Sequence, residues 1–426
     1  MYHFRQFLSL CWLILCLQGP IWANLASDTV YLTWQKDPTT TMVIQWLTLA
    51  DHDQTHIEYR ALNEKEWLSA TGKQFALPYS PNHLVHRLEL INLLPNQSYQ
   101  FKVAGQEKVR LFRTMPSNLE SPIHFVVGGD MYHDNDATQG MCITCRQAAQ
   151  TDPDFAVLGG DIAYAVMSNN APQRMERWIE WIRAWSQNMV TEEGRLIPVL
   201  AAVGNHDVIN QFGQTPAQAK VFKSLFPRHG EKLYNVMDFG NYLSLFLLDS
   251  GHTSPIRGAQ TNWLKTSLEE RQDKLYRLAA YHVPAYPSIR DFNNRYSKAI
   301  RRNWVPVFEN KDVQMAFEHH DHAYKRTFPL LKGKPQTSGG VVYVGDGAWS
   351  IQGTRQPIAQ ERPYLAKFNS SRHFISVKLD QDKLFIRSIE DVGNILDRYT
   401  HKRQPVSKAP NKGSESWISS LFSHIF

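Results

Sequence analysis

Five short runs, each closing an apolar segment, constrain this chain more than any other feature. They are Gly129-Asp130, Gly159-Gly160-Asp161-Ile162-Ala163-Tyr164, Gly204-Asn205-His206-Asp207, Tyr281-His282 and His320-Asp321-His322. The segments before them read IHFVV, FAVL, LIPVLAAV, LAAY and VQMAF. Short apolar runs bounded by glycine predict buried strands. Helix-like stretches, such as 137–151 and 172–189, lie between them. Strand alternating with helix implies a layered α/β domain with its site at the carboxyl ends of the strands. Glycine beside such an end lets the backbone turn sharply. The side chains delivered there are carboxylate, amide, imidazole and phenol, the donors of hard and borderline metals. Singly, each residue reads as a turn or a cap. Together, in this order, they point to metal.

Asp130, Asp161, Tyr164, Asn205, His282, His320 and His322 make seven candidate ligands. If Asp161 bridges, each of two metals receives four protein ligands and keeps positions for water and substrate. Two-metal hydrolysis needs that arrangement. His206 follows Asn205 and would stand at the rim, as a phosphate contact or as an acid for the leaving oxygen. A half-buried core role for Tyr164 and a structural hydrogen bond for His206 are the plainer alternatives.

The set resembles the calcineurin-like metallophosphoesterases and, within them, the purple acid phosphatases. Tyr164 in Gly-Asp-Ile-Ala-Tyr-Ala carries the closer likeness, because most of the superfamily lacks a tyrosine there. His320-Asp-His322-Ala-Tyr is similar to the family's paired-histidine run. The resemblance implies Fe(III) on Asp130, Asp161, Tyr164 and His322. It implies a divalent metal (Zn, Mn or Fe) on Asp161, Asn205, His282 and His320, with His206 as acid or phosphate contact. The activity implied is acid phosphatase: hydrolysis of small-molecule phosphate monoesters by a metal-bound hydroxide. A colourless metallophosphodiesterase on cyclic nucleotides or phospholipid headgroups is the alternative. An inactive binding module on the same fold is a more distant one.

Three departures from the family pattern stand out. His319 replaces the glycine before the paired histidines. Met131-Tyr132-His133-Asp134 replaces the usual x-Gly after the first aspartate. The extra histidines of the plant members after the position of His282 are missing, so Tyr286 and Arg290 become candidates for the substrate contacts.

A chain of 426 residues suggests two domains or more. Residues 26–116 read as an all-β sandwich, because short alternating strands recur between turn signals. Its 93–99 stretch resembles the tyrosine corner of fibronectin type III-like domains. Residues 121–403 read as the α/β metallophosphoesterase domain, a two-sheet β-sandwich flanked by helices. The four runs at 340–347, 374–379, 383–387 and 393–399 are expected to finish its second sheet. Residues 1–23 read as a signal peptide, with Arg5, an apolar core and Ala23, which implies a secreted or periplasmic protein. That core is too short to predict a transmembrane span. Residues 404–426 read as a polar linker and a short apolar segment.

The net charge of +6 is modest for this length and gives no reason to expect nucleic acid. Cys142 and Cys145 read as helix-packing thiols first and as a local disulfide second. Trp178, Trp181 and Trp185 fall at helical spacing and predict a packed face. The Arg290, Arg295, Lys298, Arg301 and Arg302 cluster reads as solvated surface more readily than as an anion site. Asp249 is expected in a strand-end loop, away from the ligands.

Overall fold

The computed structural model describes residues 28–403 except 51–54, 133–136, 168–169, 346, 352–354 and 356–361. The signal-peptide and tail readings, with His133 and Asp134, lie outside the described residues.

Eight strands come first: β1 (Tyr31–Thr33), β2 (Met42–Leu49), β3 (His56–Ala61), β4 (Leu68–Thr71), β5 (Lys73–Leu77), β6 (Ser80–Leu90), β7 (Ser98–Val103) and β8 (Arg110–Arg113). They form two four-stranded sheets, in the orders β1-β2-β6-β5 and β4-β3-β7-β8. On β7, Tyr99, Phe101 and Val103 are buried while the residues between them are half-buried, the period-2 pattern of a one-sided sheet. These side chains share one core with Trp34, Ile44, Ile57, Leu88 and Phe112 of both sheets. The Tyr99 hydroxyl accepts the N–H of Leu94 at 2.8 Å, five residues upstream. β2 is buried on nearly every residue because its other face is covered too. Leu47, with Tyr31 and Val85, packs into a cluster containing Trp178 and Phe226 of the following domain.

The second domain contains fifteen more described strands. They are β9 (Ile123–Gly128), β10 (Phe155–Leu158), β11 (Val199–Ala201), β12 (Asn235–Phe239), β13 (Leu243–Leu247), β14 (Tyr276–Ala280), β15 (Met315–Glu318) and β16 (Tyr324–Thr327). A small hairpin follows, β17 (Leu330–Leu331) and β18 (Lys334–Pro335). Then come β19 (Val342–Gly345), β20 (Leu365–Asn369), β21 (His373–Leu379), β22 (Lys383–Glu390) and β23 (Ile395–Lys402). The helices are α1 (Ala137–Ala149), α2 (Ala171–Asn188), α3 (Lys220–Leu225), α4 (Ala259–Glu269), α5 (Arg295–Asn303) and α6 (Val305–Asn310).

A six-stranded sheet runs β11-β10-β9-β21-β22-β23, and a seven-stranded sheet runs β12-β13-β14-β15-β19-β16-β20. Alternate residues of each strand face opposite layers. Phe125, Val127, Phe155 and Val157 meet Leu245, Leu247, Leu278 and Phe317 between the sheets. Val126, Ala156 and Leu158 face outward onto Cys145 of α1 and Trp178 and Trp181 of α2. Phe246 and Ala279 face outward onto Leu264, Ile300 and Phe308 of α4, α5 and α6. Helices therefore cover both outer faces, which explains why the strands read as unbroken apolar runs.

One expectation is corrected. Of the four C-terminal runs, only β19 joins the seven-stranded sheet. β21 pairs antiparallel with β9 and brings β22 and β23 into the six-stranded sheet. Alternation marks a strand but does not name its partner.

Trp178, Trp181 and Trp185 are buried as expected. Cys142 and Cys145 lie on α1 as thiols; Cys145 is fully buried, and burial raises its pKa. No helix among the described residues is long and apolar enough to cross a membrane.

Candidate metal centre

β9, β10 and β11 are parallel neighbours in one sheet, and β14 and β15 are parallel neighbours in the other. Their carboxyl ends lead into Asp130, Asp161, Asn205, His282 and His320 respectively. Two stacked sheets thus deliver all five runs to one edge. Asp130, Asp161, Tyr164, His320 and His322 have φ between 48° and 78°. Left-handed backbone costs a non-glycine residue about 1–2 kcal/mol and concentrates where side chains must be aimed. Neighbouring glycines leave the room required. A Cβ on Gly159 would lie 1.8 Å from the His319 ring, and one on Gly204 would lie 2.2 Å from the Asp161 nitrogen.

The ligand atoms gather in two groups. His282 Nε2 lies 3.1 Å from Asp161 Oδ2, 3.0 Å from Asn205 Oδ1 and 3.0 Å from His320 Nδ1. Its other nitrogen, Nδ1, is 3.0 Å from the Gly159 carbonyl, which makes Nδ1 the donor and turns Nε2 towards the cluster. One ring nitrogen cannot hydrogen-bond three neighbours at once, whereas a cation among them would satisfy all four. Asp161 Oδ2 is buried and, although 3.1 Å from His282 Nε2, receives no well-directed hydrogen bond among the described residues, which points the same way. The donor set therefore fits a metal.

In the second group, the Tyr164 hydroxyl is 2.9 Å from Asp130 Oδ1 and 3.2 Å from His322 Nε2. His322 Nε2 is itself 3.1 Å from Asp130 Oδ1. Asp161 acts on both groups. Its charge and that of Asp130, added to burial, hold the Tyr164 phenol well above its usual pKa. Burial disfavours the charged forms of Asp130 and Asp161. His282, aided by His322 and His206, outweighs it and holds both carboxyls below the usual range. The same two carboxylates raise His282 to about 9 against its own burial.

All seven predicted ligands are thus brought together. His206 stands beside them: its backbone N–H donates to Asp161 Oδ1 at 2.6 Å, and its ring stacks on Tyr164 with centroids 4.5 Å apart. Its side chain is 21% exposed, whereas every ligand except the half-buried His320 is buried. Arg290 also reaches the site. Its Nη2 donates to the His320 carbonyl at 3.2 Å, and its Nε is 3.4 Å from Asp321 Oδ1. Tyr286 does not. Its ring packs on Tyr343 and Tyr364, and its carbonyl accepts from Lys325, so its candidacy as a substrate contact is withdrawn. His319 is a buried packing residue whose Nδ1 bonds the Tyr281 carbonyl. Asp249 accepts the N–H groups of Gly251, His252 and Thr253 and closes its own loop. Arg301 of the basic cluster is committed to the carbonyls of Ala285 and Phe292.

Two supports were not read from the sequence. Asp207 accepts the N–H groups of Asp161, Ile162 and Gly204 at 2.8–2.9 Å, tying two ligand loops together. Its place in Gly-Asn-His-Asp was the only available signal. The second is the fully buried Glu318–Lys325 ion pair. Glu318 also accepts from the Tyr281 hydroxyl and the Ala285 N–H, so it joins the strand ends that carry His282 and His320. Two opposite charges seven residues apart gave no sign of this.

Residues 107–324 match the family model of the calcineurin-like phosphoesterases, and residues 27–114 match that of the purple acid phosphatase N-terminal domain. An uncharacterized protein of Mycobacterium tuberculosis is 26% identical over 282 residues, covering 58% of this chain and 51% of that protein. The chain thus spans about half the length of this mycobacterial relative. Purple acid phosphatase 5 of Arabidopsis thaliana is 21% identical over 369 residues, 81% of this chain and 85% of that one. A purple acid phosphatase from yellow lupin (Lupinus luteus) seeds superimposes with a TM-score of 0.70 at 14% identity, over 88% of this chain and 74% of the other. PhoD superimposes with a TM-score of 0.66 at 13% identity, over 89% of each chain. At these identities the structures show a shared fold. With one family model spanning just over half of the residues and another covering the domain before it, the chain belongs to the calcineurin-like phosphoesterases and carries the N-terminal domain of the purple acid phosphatases.

Proposed function

We propose that the protein is a binuclear metallohydrolase that cleaves phosphate monoesters. What supports this reading is that Asp161 lies 3.1 Å from His282 in one group of ligand atoms and acts through its charge on Asp130 and Tyr164 in the other. Asp130, Asp161 and Tyr164 offer three anionic donors with one imidazole, His322. Such a set suits a trivalent cation, and forming a phenolate beside two carboxylates requires one. Asn205, His320 and His282, the last after losing its proton to the incoming metal, are uncharged donors that share only the Asp161 charge, which suits a divalent ion. Fe(III) is therefore assigned to the first group and Zn, Mn or Fe(II) to the second.

When bound, the two metals would lower the pKa of a coordinated water and neutralise charge on the phosphoryl oxygens. The chain's own residues do the rest. Asp161 fixes the relative position of the two groups. Asp207 and the Glu318–Lys325 pair hold the loops that aim them. His206 lies within reach of the site and hydrogen-bonds the phosphoryl group or gives a proton to the leaving oxygen. Arg290 adds positive charge beside His320, where an anionic ester would approach.

The signal-like segment 1–23 supports secretion, and the Tyr99–Leu94 tie supports a fibronectin III-like N-terminal domain. The domain limits 26–116 and 121–403 belong to the same proposal. Asp161→Asn tests it directly. The substitution should abolish hydrolysis of a phosphate monoester and lower metal content; turnover like that of the parent protein would refute the assignment.

A further inference from the structure

A solvent-open pocket of about 180 Å³ lies beside the ligand groups, and no role has yet been assigned to it. Two of its walls continue the ligand loops. Ala165 and Val166 follow Tyr164, and Val208 and Ile209 follow His206 and Asp207. Trp178 of α2 and Val221 of α3 also line it. Asp207 is common to pocket and centre: it lines the first, and its carboxylate accepts the Asp161 N–H at 2.9 Å. His206, stacked on Tyr164, immediately precedes Asp207 in the chain. Ile209 is 44% exposed and Tyr79, from the N-terminal domain, 51% exposed at its edge.

We propose that this pocket receives the leaving group of the phosphoester, and that the preferred leaving group is apolar and the size of one aromatic ring. The proposal rests on the metallohydrolase reading above. Three features support it. The lining is mainly aliphatic and aromatic, so a polyol would leave apolar surface wet while a ring would bury it. The volume suits one ring, since apolar cavities of roughly 150 Å³ accept benzene. The pocket shares Asp207 with the loops that carry Asp161 and Asn205, and its wall residue Ala165 follows Tyr164 directly in the chain.

Binding tests this without turnover. Phenylphosphonate and methylphosphonate share one anionic head and differ by the ring. Calorimetry on the full-length, metal-loaded protein should find phenylphosphonate about tenfold tighter or more. Ile209→Trp, which fills the pocket from its exposed side, should cut that preference to roughly threefold or less. Val221→Phe fills it from α3 and serves as the second variant if the first fails to fold. In hydrolysis, the phenyl-to-methyl phosphate ratio of kcat/KM should fall about tenfold in either variant. Equal affinity for the two phosphonates, or a preference untouched by both substitutions, overturns the proposal. That result is also expected if another segment of the chain or a protein partner fills the pocket. A retained phenyl preference without hydrolysis of either ester refutes the monoesterase reading and leaves a ring-binding pocket with no leaving group to receive.

Discussion

The two halves of the candidate centre are built from the same strand ends and yet differ in kind. The half around Asp130, Tyr164 and His322 is anionic, and its tyrosine is held as a phenol first by burial and then by the carboxylates beside it. The half around Asn205, His282 and His320 offers a metal only uncharged donors once His282 gives up its proton, and leans on Asp161 for its only anionic donor. On the proposed reading, the difference would let one scaffold edge distinguish two cations by charge. Burial is deep on both sides, since Asp130, Tyr164 and His282 are all 0% exposed, although His320 is only half-buried.

Changing the shared residue should break both halves together. Asp161→Asn is expected to lower kcat/KM by about a thousandfold or more and to reduce bound metal at both positions, read by elemental analysis. Loss from only one position would show that Asp161 does not bridge. Changes confined to one half should separate the two. Asn205→Ala should weaken the divalent metal by roughly 10–100-fold and leave iron bound, so added divalent ion restores activity. Loss of iron as well would contradict the division.

His206→Gln tests the rim between the halves. It should lower kcat by roughly a hundredfold for poor leaving groups and much less for good ones, with metal content unchanged. An equal loss for both would make His206 a phosphate contact and not an acid. Tyr164→Phe should remove visible colour almost entirely while activity falls about tenfold or less.

The smallest effect lies outside the centre. Burial lowers His124, His252 and His373 to about 4. Unfolded, each titrates near 6.5, so between about pH 6.5 and 4 the unfolded chain binds more protons than the folded one. Stability should therefore decline as pH falls through that window, read as a falling denaturant midpoint. Replacing His124 by Gln should flatten the decline, because it removes one of the three proton differences. A midpoint independent of pH across the window would exclude this contribution.

The ligands were legible because each follows a short apolar run, and a parallel sheet sends such ends to one edge. The helix positions were legible from spacing, as the buried Trp178, Trp181 and Trp185 show. β4 and β5 were not, because their residues are mostly exposed and lack a core-facing alternation. The pairing of β21 with β9 joins residues about 250 positions apart, and neither strand carries a mark of its partner. Asp207 escaped notice because its role is to bind backbone N–H groups, which every residue but proline carries. Tyr286 misled for the opposite reason. It lies four residues beyond His282, but the chain there turns away and buries its ring among Tyr343 and Tyr364.

The most direct measurement is metal content together with the visible spectrum of the mildly oxidised protein, for the parent and for Tyr164→Phe. Two metals per chain including iron, with a broad visible band that Tyr164→Phe removes, is the expected result. Two metals without iron or colour would contradict the anionic half as a trivalent site and favour a colourless diesterase. A band that survives in Tyr164→Phe would contradict the assignment of Tyr164 as its ligand.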